Sequence, residues 1–139
     1  LEFRRVLFRS TLERLPASAW TLGSAAGFLA CALLVTNNLR DIPGDTEVGK
    51  RTLAVRLGDR RTRLLYVGFL GAAFVAIAIT GVLSGGAFIG LLALPIARRP
   101  ITSIRSGASG RDLIAVLGDT GRLQLAVGAL TSIGVVLFA

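Results

Sequence analysis

The sequence contains no histidine, and it has one cysteine, one tryptophan and one tyrosine among 139 residues. The absence of histidine excludes a histidine-ligated metal site, a histidine-based catalytic triad and an imidazole general base. The single cysteine, Cys31, stands alone inside an apolar run, where we expect it to be a small core residue. No glycine-rich P-loop is present, so the pattern is not that of a nucleotide-binding ATPase.

Charge is also scarce, because 17% of the residues are charged and 53% are hydrophobic. Three runs carry no charged side chain at all: residues 15–39, 64–97 and 123–139. About 20 helical residues cross the hydrocarbon core of a bilayer, so runs of this length are typical of membrane spans. The alternation of polar and apolar residues that is typical of the strands of a membrane β-barrel is missing. The sequence therefore predicts an all-α, multi-span membrane helix bundle.

The net charge of +8 could suggest a nucleic-acid-binding protein. However, all sixteen basic residues lie outside the three uncharged runs, as the positive-inside rule expects for a membrane protein. The aromatic residues on which a single-strand binder stacks bases are also lacking. We therefore predict that the partner is the lipid bilayer and not nucleic acid.

The charge distribution also predicts the topology. A hairpin within the long middle run, turning near residues 80–86 with its glycines, places both basic segments on the cytoplasmic side. This gives four predicted spans, at about residues 17–36, 64–80, 83–99 and 122–139. The predicted cytoplasmic loops are residues 37–63 and 100–121.

The first ten residues, "LEFRRVLFRS", look foreign to this pattern. They do not begin with methionine, and three arginines interrupt what could otherwise be apolar sequence. They lack the apolar stretch of a signal peptide. We interpret residues 1–10 as an extraneous head, and residues 11–139 as the C-terminal part of a longer membrane domain.

The segment "NNLRDIPGDTEVGKR", residues 37–51, follows directly on the first apolar run. On a helix, Asp41 and Asp45 would share one face with their Cβ atoms about 5–6 Å apart. The Pro43-Gly44 pair leaves open whether they lie on a helix end or in a loop. Two carboxylates about 6 Å apart repel by roughly 3 kcal/mol at an effective dielectric constant of 20, which calls for a cation. Mg²⁺ fits, because it is held by one or two carboxylates together with substrate phosphates.

Lys50 and Arg51 follow closely and add two positive charges. A metal held by carboxylates beside a basic pair is a constellation suited to a diphosphate. The residues alone also allow a simpler interpretation: ordinary loop carboxylates, basic orientation signals, and an asparagine pair (Asn37 and Asn38) that ends a helix.

The longer stretch "NNLRDIPGDTEVGKRTLAVRLGDRRTRLLY", residues 37–66, resembles the second aspartate-rich motif of the UbiA superfamily of intramembrane aromatic prenyltransferases. The sequence of this motif is most similar to that of the menaquinone branch, whose members prenylate 1,4-dihydroxy-2-naphthoate. The segments "LLALPIA" and "VLGDTGRLQL" also resemble the C-terminal part of that branch, so the resemblance covers about residues 15–139.

This resemblance implies a bundle of nine membrane helices around a cavity, of which this chain would supply the last four. It implies Asp41 and Asp45 as catalytic metal ligands, Lys50 and Arg51 as diphosphate-binding residues, and Asn37 and Asn38 at the rim of the substrate pocket. In the implied reaction, Mg²⁺ assists loss of diphosphate from a polyprenyl diphosphate. The allylic cation then alkylates 1,4-dihydroxy-2-naphthoate with loss of its carboxylate, giving demethylmenaquinone. The implied location is the bacterial plasma membrane, with the active-site loops cytoplasmic.

The chain departs from the family pattern in one respect. The family has another, earlier aspartate-rich motif, and Glu2 and Glu13 are isolated acids that do not match it. We therefore expect this chain to be inactive by itself. Alternatives are a UbiA-type enzyme with another aromatic acceptor, a phosphatidyl-alcohol transferase, or a non-catalytic helix bundle. The segment "DIPGD" does not match the signature of the phosphatidyl-alcohol transferases. The oligomeric state stays open.

Three later acids are predicted to lie outside the site. We expect Asp59 to pair with local arginines. Two interpretations of Asp112 and Asp119 stay open, an approach to the mouth of the cavity and a position in a solvated loop, and the second is favoured. Gly118 and Gly121 suggest a turn before the last span.

Overall fold

The computed structural model describes residues 16–138, which form four α-helices and one 3₁₀ segment with no strand among them. In chain order these are α1 (Ala17–Glu47), α2 (Leu53–Ser84), the 3₁₀ segment (Gly86–Ala93), α3 (Leu94–Arg105) and α4 (Asp112–Leu137). The helices α1, α2 and α4, and the 3₁₀ segment joined to α3, are each long and apolar enough to cross a membrane. The predicted all-α, multi-span membrane bundle is confirmed. The predicted head, residues 1–10, lies outside the described residues.

The helices extend well beyond the uncharged runs. The polar segments 37–63 and 100–121, predicted as loops, are mostly helical, and only residues 48–52 and 106–111 lie outside helices there. Polarity marks where a helix leaves the hydrocarbon and does not by itself end the helix. The ends fall instead at glycines with positive φ, which are Gly49, Gly107 and Gly110.

The predicted hairpin turn is present, and it falls at Gly85, which ends α2 with φ of 74°. The chain then returns first as the eight-residue 3₁₀ segment and then as the twelve residues of α3. A 3₁₀ helix rises about 2.0 Å per residue against 1.5 Å for an α-helix, so the two parts together extend about 34 Å. That length exceeds the roughly 30 Å of bilayer hydrocarbon. The 3₁₀ geometry therefore lets a short stretch of sequence span the membrane.

The 3₁₀ segment packs against α4 through glycine. A Cβ atom on Gly86 would overlap the backbone carbonyl of Gly134, and a Cβ on Gly134 would overlap the carbonyl of Gly86. A Cβ on Gly90 would collide with the Thr131 hydroxyl in the same way. Backbones can approach this closely in a membrane bundle only where the side chains are small.

Hydroxyl groups connect the helices inside the otherwise apolar core. The Tyr66 hydroxyl of α2 lies 2.7 Å from the Thr120 hydroxyl of α4, and both side chains are buried. At the opposite end of the bundle, the Thr80 hydroxyl donates to the Thr21 hydroxyl of α1 at 2.7 Å. Cys31, expected in the core, is only half-buried.

The N-terminal turns of α2 are separated from the rest of the helix by a kink at Gly58, whose φ is 74° and ψ is 170°. Thr52 caps these turns by accepting from the Val55 N–H at 3.3 Å. The buried Thr62 hydroxyl donates to the Gly58 carbonyl at 2.8 Å, which fixes the far side of the kink. The kink thus determines how the segment that follows the aspartates joins the membrane-spanning part of α2.

Beyond the kink, Arg63 fastens α2 to α3. Its guanidinium donates to both oxygens of Asp59, at 2.7 and 2.8 Å, and to the Ile104 carbonyl at 2.9 Å. The hydrogen bonds from Arg63 lower the pKa of the Asp59 carboxyl, which confirms the expected local pairing of this acid. Because Ile104 lies at the C-terminal end of α3, the connections 48–52 and 106–111 lie at the same end of the bundle.

Gly58→Ala is expected to lower the free energy of unfolding by about 1–3 kcal/mol. The backbone of Gly58 lies in a region that is accessible essentially to glycine alone, so a Cβ atom introduces strain. Gly68→Ala is the matched control, because Gly68 lies on the same helix, is exposed and has open space around its Cβ position. Thermal unfolding in detergent micelles measures both, and equal midpoints would contradict the assigned kink.

Candidate functional site

The α1 helix continues without interruption through the asparagine–aspartate motif, although Pro43 lies inside it. This settles the choice that the Pro-Gly pair left open: both aspartates lie on the C-terminal end of a helix, and the turn comes later, at Gly49. An internal proline removes one backbone hydrogen bond and disfavours a helix. Here Pro43 is exposed and lies beyond Leu39, which is the last buried residue of α1.

Four residues of the motif share one face of α1. At 100° per residue, Asn37, Asn38, Asp41 and Asp45 fall within one arc of about 100°. The opposite face carries the residues that α1 buries against the other helices, which at this level of the helix are Ala32, Val35, Thr36 and Leu39. The four motif side chains are themselves half-buried. The helix therefore presents a polar face directly opposite its packed face.

The end of α1 forms a Schellman motif that folds the chain back toward Asp45. The Gly49 N–H donates to the Thr46 carbonyl at 3.1 Å, and the Lys50 N–H donates to the Asp45 carbonyl at 2.8 Å. Gly49 adopts a φ of 73°, which glycine allows at no steric cost. As a result the Lys50 ammonium lies 3.4 Å from Oδ1 of Asp45, whose side chain is only 13% exposed. A local backbone motif thus brings the predicted cation to the predicted carboxylate.

Asp41 has a different cationic neighbour, Arg40. The Arg40 Nε lies 2.8 Å from Asp41 Oδ1, and its Nη2 donates to Oδ2 at 3.2 Å. This hydrogen bond raises the pKa of the Arg40 guanidinium above its ordinary value. Sequence reasoning did not assign Arg40 to the site, although its position beside Asp41 was a usable signal. Arg51, which was assigned, is exposed in the connection between α1 and α2.

The two later acids differ from expectation, because α4 begins at Asp112 and runs through Gly118 and Gly121 without a turn. Asp112 is exposed at the start of that helix. Asp119 is not in a solvated loop: its side chain is 17% exposed and lies 3.3 Å from Arg122 and 3.9 Å from Arg99. Gly118 and Gly121 both lie inside α4, so the turn predicted at these glycines is wrong.

The aspartate pair fits a magnesium ion by its donor chemistry. Mg²⁺ needs only one or two protein carboxylates when substrate phosphates supply further oxygens. Within residues 16–138 no group of three or more acidic, cysteine or histidine side chains is assembled, so such an ion would depend on those phosphates. The Arg40–Asp41 ion pair is partly exposed to solvent, and ion pairs of this kind contribute little to stability. Asp41 can therefore exchange its present partner for a metal at little cost.

These features define a polytopic membrane protein with a carboxylate–cation cluster at one end of its helices. The family model for the UbiA prenyltransferase family matches residues 6–106, which include the whole asparagine–aspartate motif and the basic pair. The chain belongs to the UbiA prenyltransferase family.

Three relatives bear the same printed name, 1,4-dihydroxy-2-naphthoate octaprenyltransferase. The protein from Mycobacterium tuberculosis is 49% identical over 114 residues, which is 82% of this chain and 39% of that protein. The protein from Mycobacterium leprae is 44% identical, over 85% of this chain and 40% of its own length. The protein from Haemophilus influenzae is 31% identical, over 81% and 37% respectively. This chain therefore spans about two fifths of the length of these curated relatives. No solved structure matches it.

Proposed function

We propose that this chain forms the second aspartate-bearing part of an intramembrane prenyltransferase that transfers a polyprenyl group from polyprenyl diphosphate to 1,4-dihydroxy-2-naphthoate. The transfer releases diphosphate and carbon dioxide and leaves the quinol form of demethylmenaquinone, which a separate oxidation converts to demethylmenaquinone. The observation that carries the proposal is the polar face of α1, where two aspartates and two asparagines lie at the end of an apolar span. The names of the three relatives support the aromatic acceptor. The partners are thus a polyprenyl diphosphate, an aromatic acid and the bilayer.

In this proposal Asp41 and Asp45 hold a magnesium ion that neutralises charge on the diphosphate leaving group. Lys50 stays beside Asp45 through the Schellman motif, so its ammonium meets the diphosphate together with the carboxylates. Arg40 and Arg51 add positive charge on either side. Stabilising the leaving group in this way lowers the barrier to breaking the carbon–oxygen bond.

Asn37 and Asn38 lie about one helical turn before Asp41 on the same face, where their amide groups can orient the bound substrates. Toward the N-terminus of α1 the same face is apolar, and it carries Gly23, Gly27, Ala30 and Leu34. An apolar wall of this kind accommodates an isoprenoid chain and shields an allylic cation from water. We place the motif on the cytoplasmic side, because the basic residues of residues 40–63 and 98–122 cluster at that end.

A chimera tests the function. Residues 16–138 would replace the matching segment of the Mycobacterium tuberculosis relative, in a strain that lacks 1,4-dihydroxy-2-naphthoate prenylation. We expect the chimera to restore demethylmenaquinone, and this chain alone to restore none because it spans only two fifths of its relatives. Mass spectrometry of extracted quinones measures both.

The chimera also separates the alternatives. If it accumulates in the membrane at the level of the relative and yet yields no prenylated quinone, the chain is a non-catalytic bundle and the proposal is wrong. A prenylated product built on a different aromatic ring would assign the chain to another branch of the family. Chelation of Mg²⁺ in isolated membranes should stop the reaction, and readdition should restore it.

A further inference from the structure

A basic cleft lies between α3 and α4, on residues that the proposed transfer reaction does not use. It is a cavity of about 530 Å³ whose polar walls come from Arg99, Arg111, Asp119 and Arg122. A smaller cavity of about 250 Å³ adjoins it, shares three of these side chains and adds Pro95 and Ile96. The two cavities together form one groove with a charged end and an apolar end.

The charged end has an excess of two positive charges, because three arginines face one carboxylate. Asp119 is largely buried and holds a guanidinium on each side, with Arg122 Nη1 at 3.3 Å and Arg99 Nε at 3.9 Å. The two arginine side chains remain 79% and 77% exposed, so most of their donors face the cleft mouth and solvent. Paired guanidinium groups of this kind recognise phosphate oxygens bidentately.

The apolar end fixes the class of ligand. Pro95 and Ile96 lie one turn of α3 before Arg99, toward the membrane-spanning part of that helix, and Ile96 is exposed. A ligand that fills the whole groove therefore carries a phosphate at one end and hydrocarbon at the other. Basic pockets between membrane helices near the bilayer surface bind anionic lipid headgroups by this combination.

We propose that the α3–α4 groove is a binding site for an anionic phospholipid, whose phosphate lies between Arg99, Arg111 and Arg122 and whose acyl chain follows Pro95 and Ile96. The site is distinct from the α1 motif, and it uses none of the residues that the proposed transfer reaction requires.

The test measures lipid retention by the full chain. The protein is reconstituted in phosphatidylcholine nanodiscs with increasing phosphatidylglycerol, and native mass spectrometry counts the phosphatidylglycerol that it retains. Each arginine that hydrogen-bonds the bound phosphate directly contributes at least about 1 kcal/mol, which is about a fivefold factor in affinity. The double variant Arg99→Gln/Arg122→Gln should therefore weaken retention about 25-fold. Arg60→Gln/Arg61→Gln removes the same charge from exposed positions of α2 outside the groove and should change retention less than twofold.

Arg111→Gln provides a second variant that leaves both partners of Asp119 in place, and it should weaken retention about fivefold. Equal losses in the groove variants and in the Arg60/Arg61 control would show general surface attraction and overturn the site. Competition distinguishes the source of the phosphate. If sodium pyrophosphate at millimolar concentration displaces the lipid through the same arginines and binds in phosphatidylcholine alone, the groove is a free-phosphate site and the lipid assignment is wrong.

Discussion

Asp41→Asn and Asp45→Asn are each expected to lower prenyl transfer by the chimera by about 10²–10³-fold. A carboxylate that holds a metal on a leaving group supplies several kcal/mol of transition-state stabilisation. A loss of about 3–4 kcal/mol corresponds to a factor of that size. Asparagine preserves the shape of the side chain and the helix, so the loss reports the missing charge. Quinone formation per unit of membrane protein measures the effect.

Asp112→Asn is the matched control for these two substitutions. Asp112 is exposed at the start of α4, and the change removes the same charge from the same polar end of the bundle. We expect activity within twofold of the unaltered chimera. If Asp112→Asn lowers activity as much as the other two changes, the effect is one of general surface charge and the assignment of the aspartate pair is wrong.

Gly134→Ala is expected to cost about 3 kcal/mol of stability, the upper part of the range for adding a methyl group to a packed core. Its Cβ would overlap the carbonyl of Gly86, and both partners are main chain, so no side chain can move aside. The 3₁₀ segment would have to move away from α4 and lose the contacts that bury Ala87 and Ala93. The midpoint of thermal unfolding in detergent micelles measures the cost.

Gly128→Ala separates this effect from a general intolerance of alanine. Gly128 lies six residues earlier on α4, is exposed, and has no atom within 4 Å of the position that a Cβ would take. We expect its unfolding midpoint to stay close to that of the unaltered chain. A Gly134→Ala protein as stable as Gly128→Ala would mean that the 3₁₀ segment and α4 do not meet as described.

The number of helices and the hairpin could be predicted from sequence, because long uncharged runs and charge asymmetry are properties of the chain alone. The helix ends could not, because polarity was used as the signal for a loop. Thr52 and three positive-φ glycines, Gly49, Gly107 and Gly110, mark the ends, whereas the charged residues Arg40 and Asp45 lie inside α1. The 3₁₀ geometry of residues 86–93 could not be predicted from the sequence either, since it depends on how closely the backbones of Gly86 and Gly134 approach each other.

The arrangement of the candidate site residues could be predicted only in part. The spacing of Asp41 and Asp45 indicated a shared helix face, and α1 has that face. The pairing of Lys50 with Asp45 depends on the Schellman turn, which needs the position of the helix end and could not be read from spacing. Arg40 was not assigned to the site, although an arginine side chain is long enough to reach the carboxylate of the next residue.

The turn at the end of α1 constrains the adjacent positions 49 and 50 in two different ways. Position 49 is fixed by stereochemistry, because its left-handed backbone admits few residues other than glycine. Position 50 contributes to the turn only through its amide, which every amino acid except proline possesses. The side chain at that position is consequently independent of chain reversal, so replacing Lys50 changes the local charge without disturbing the turn.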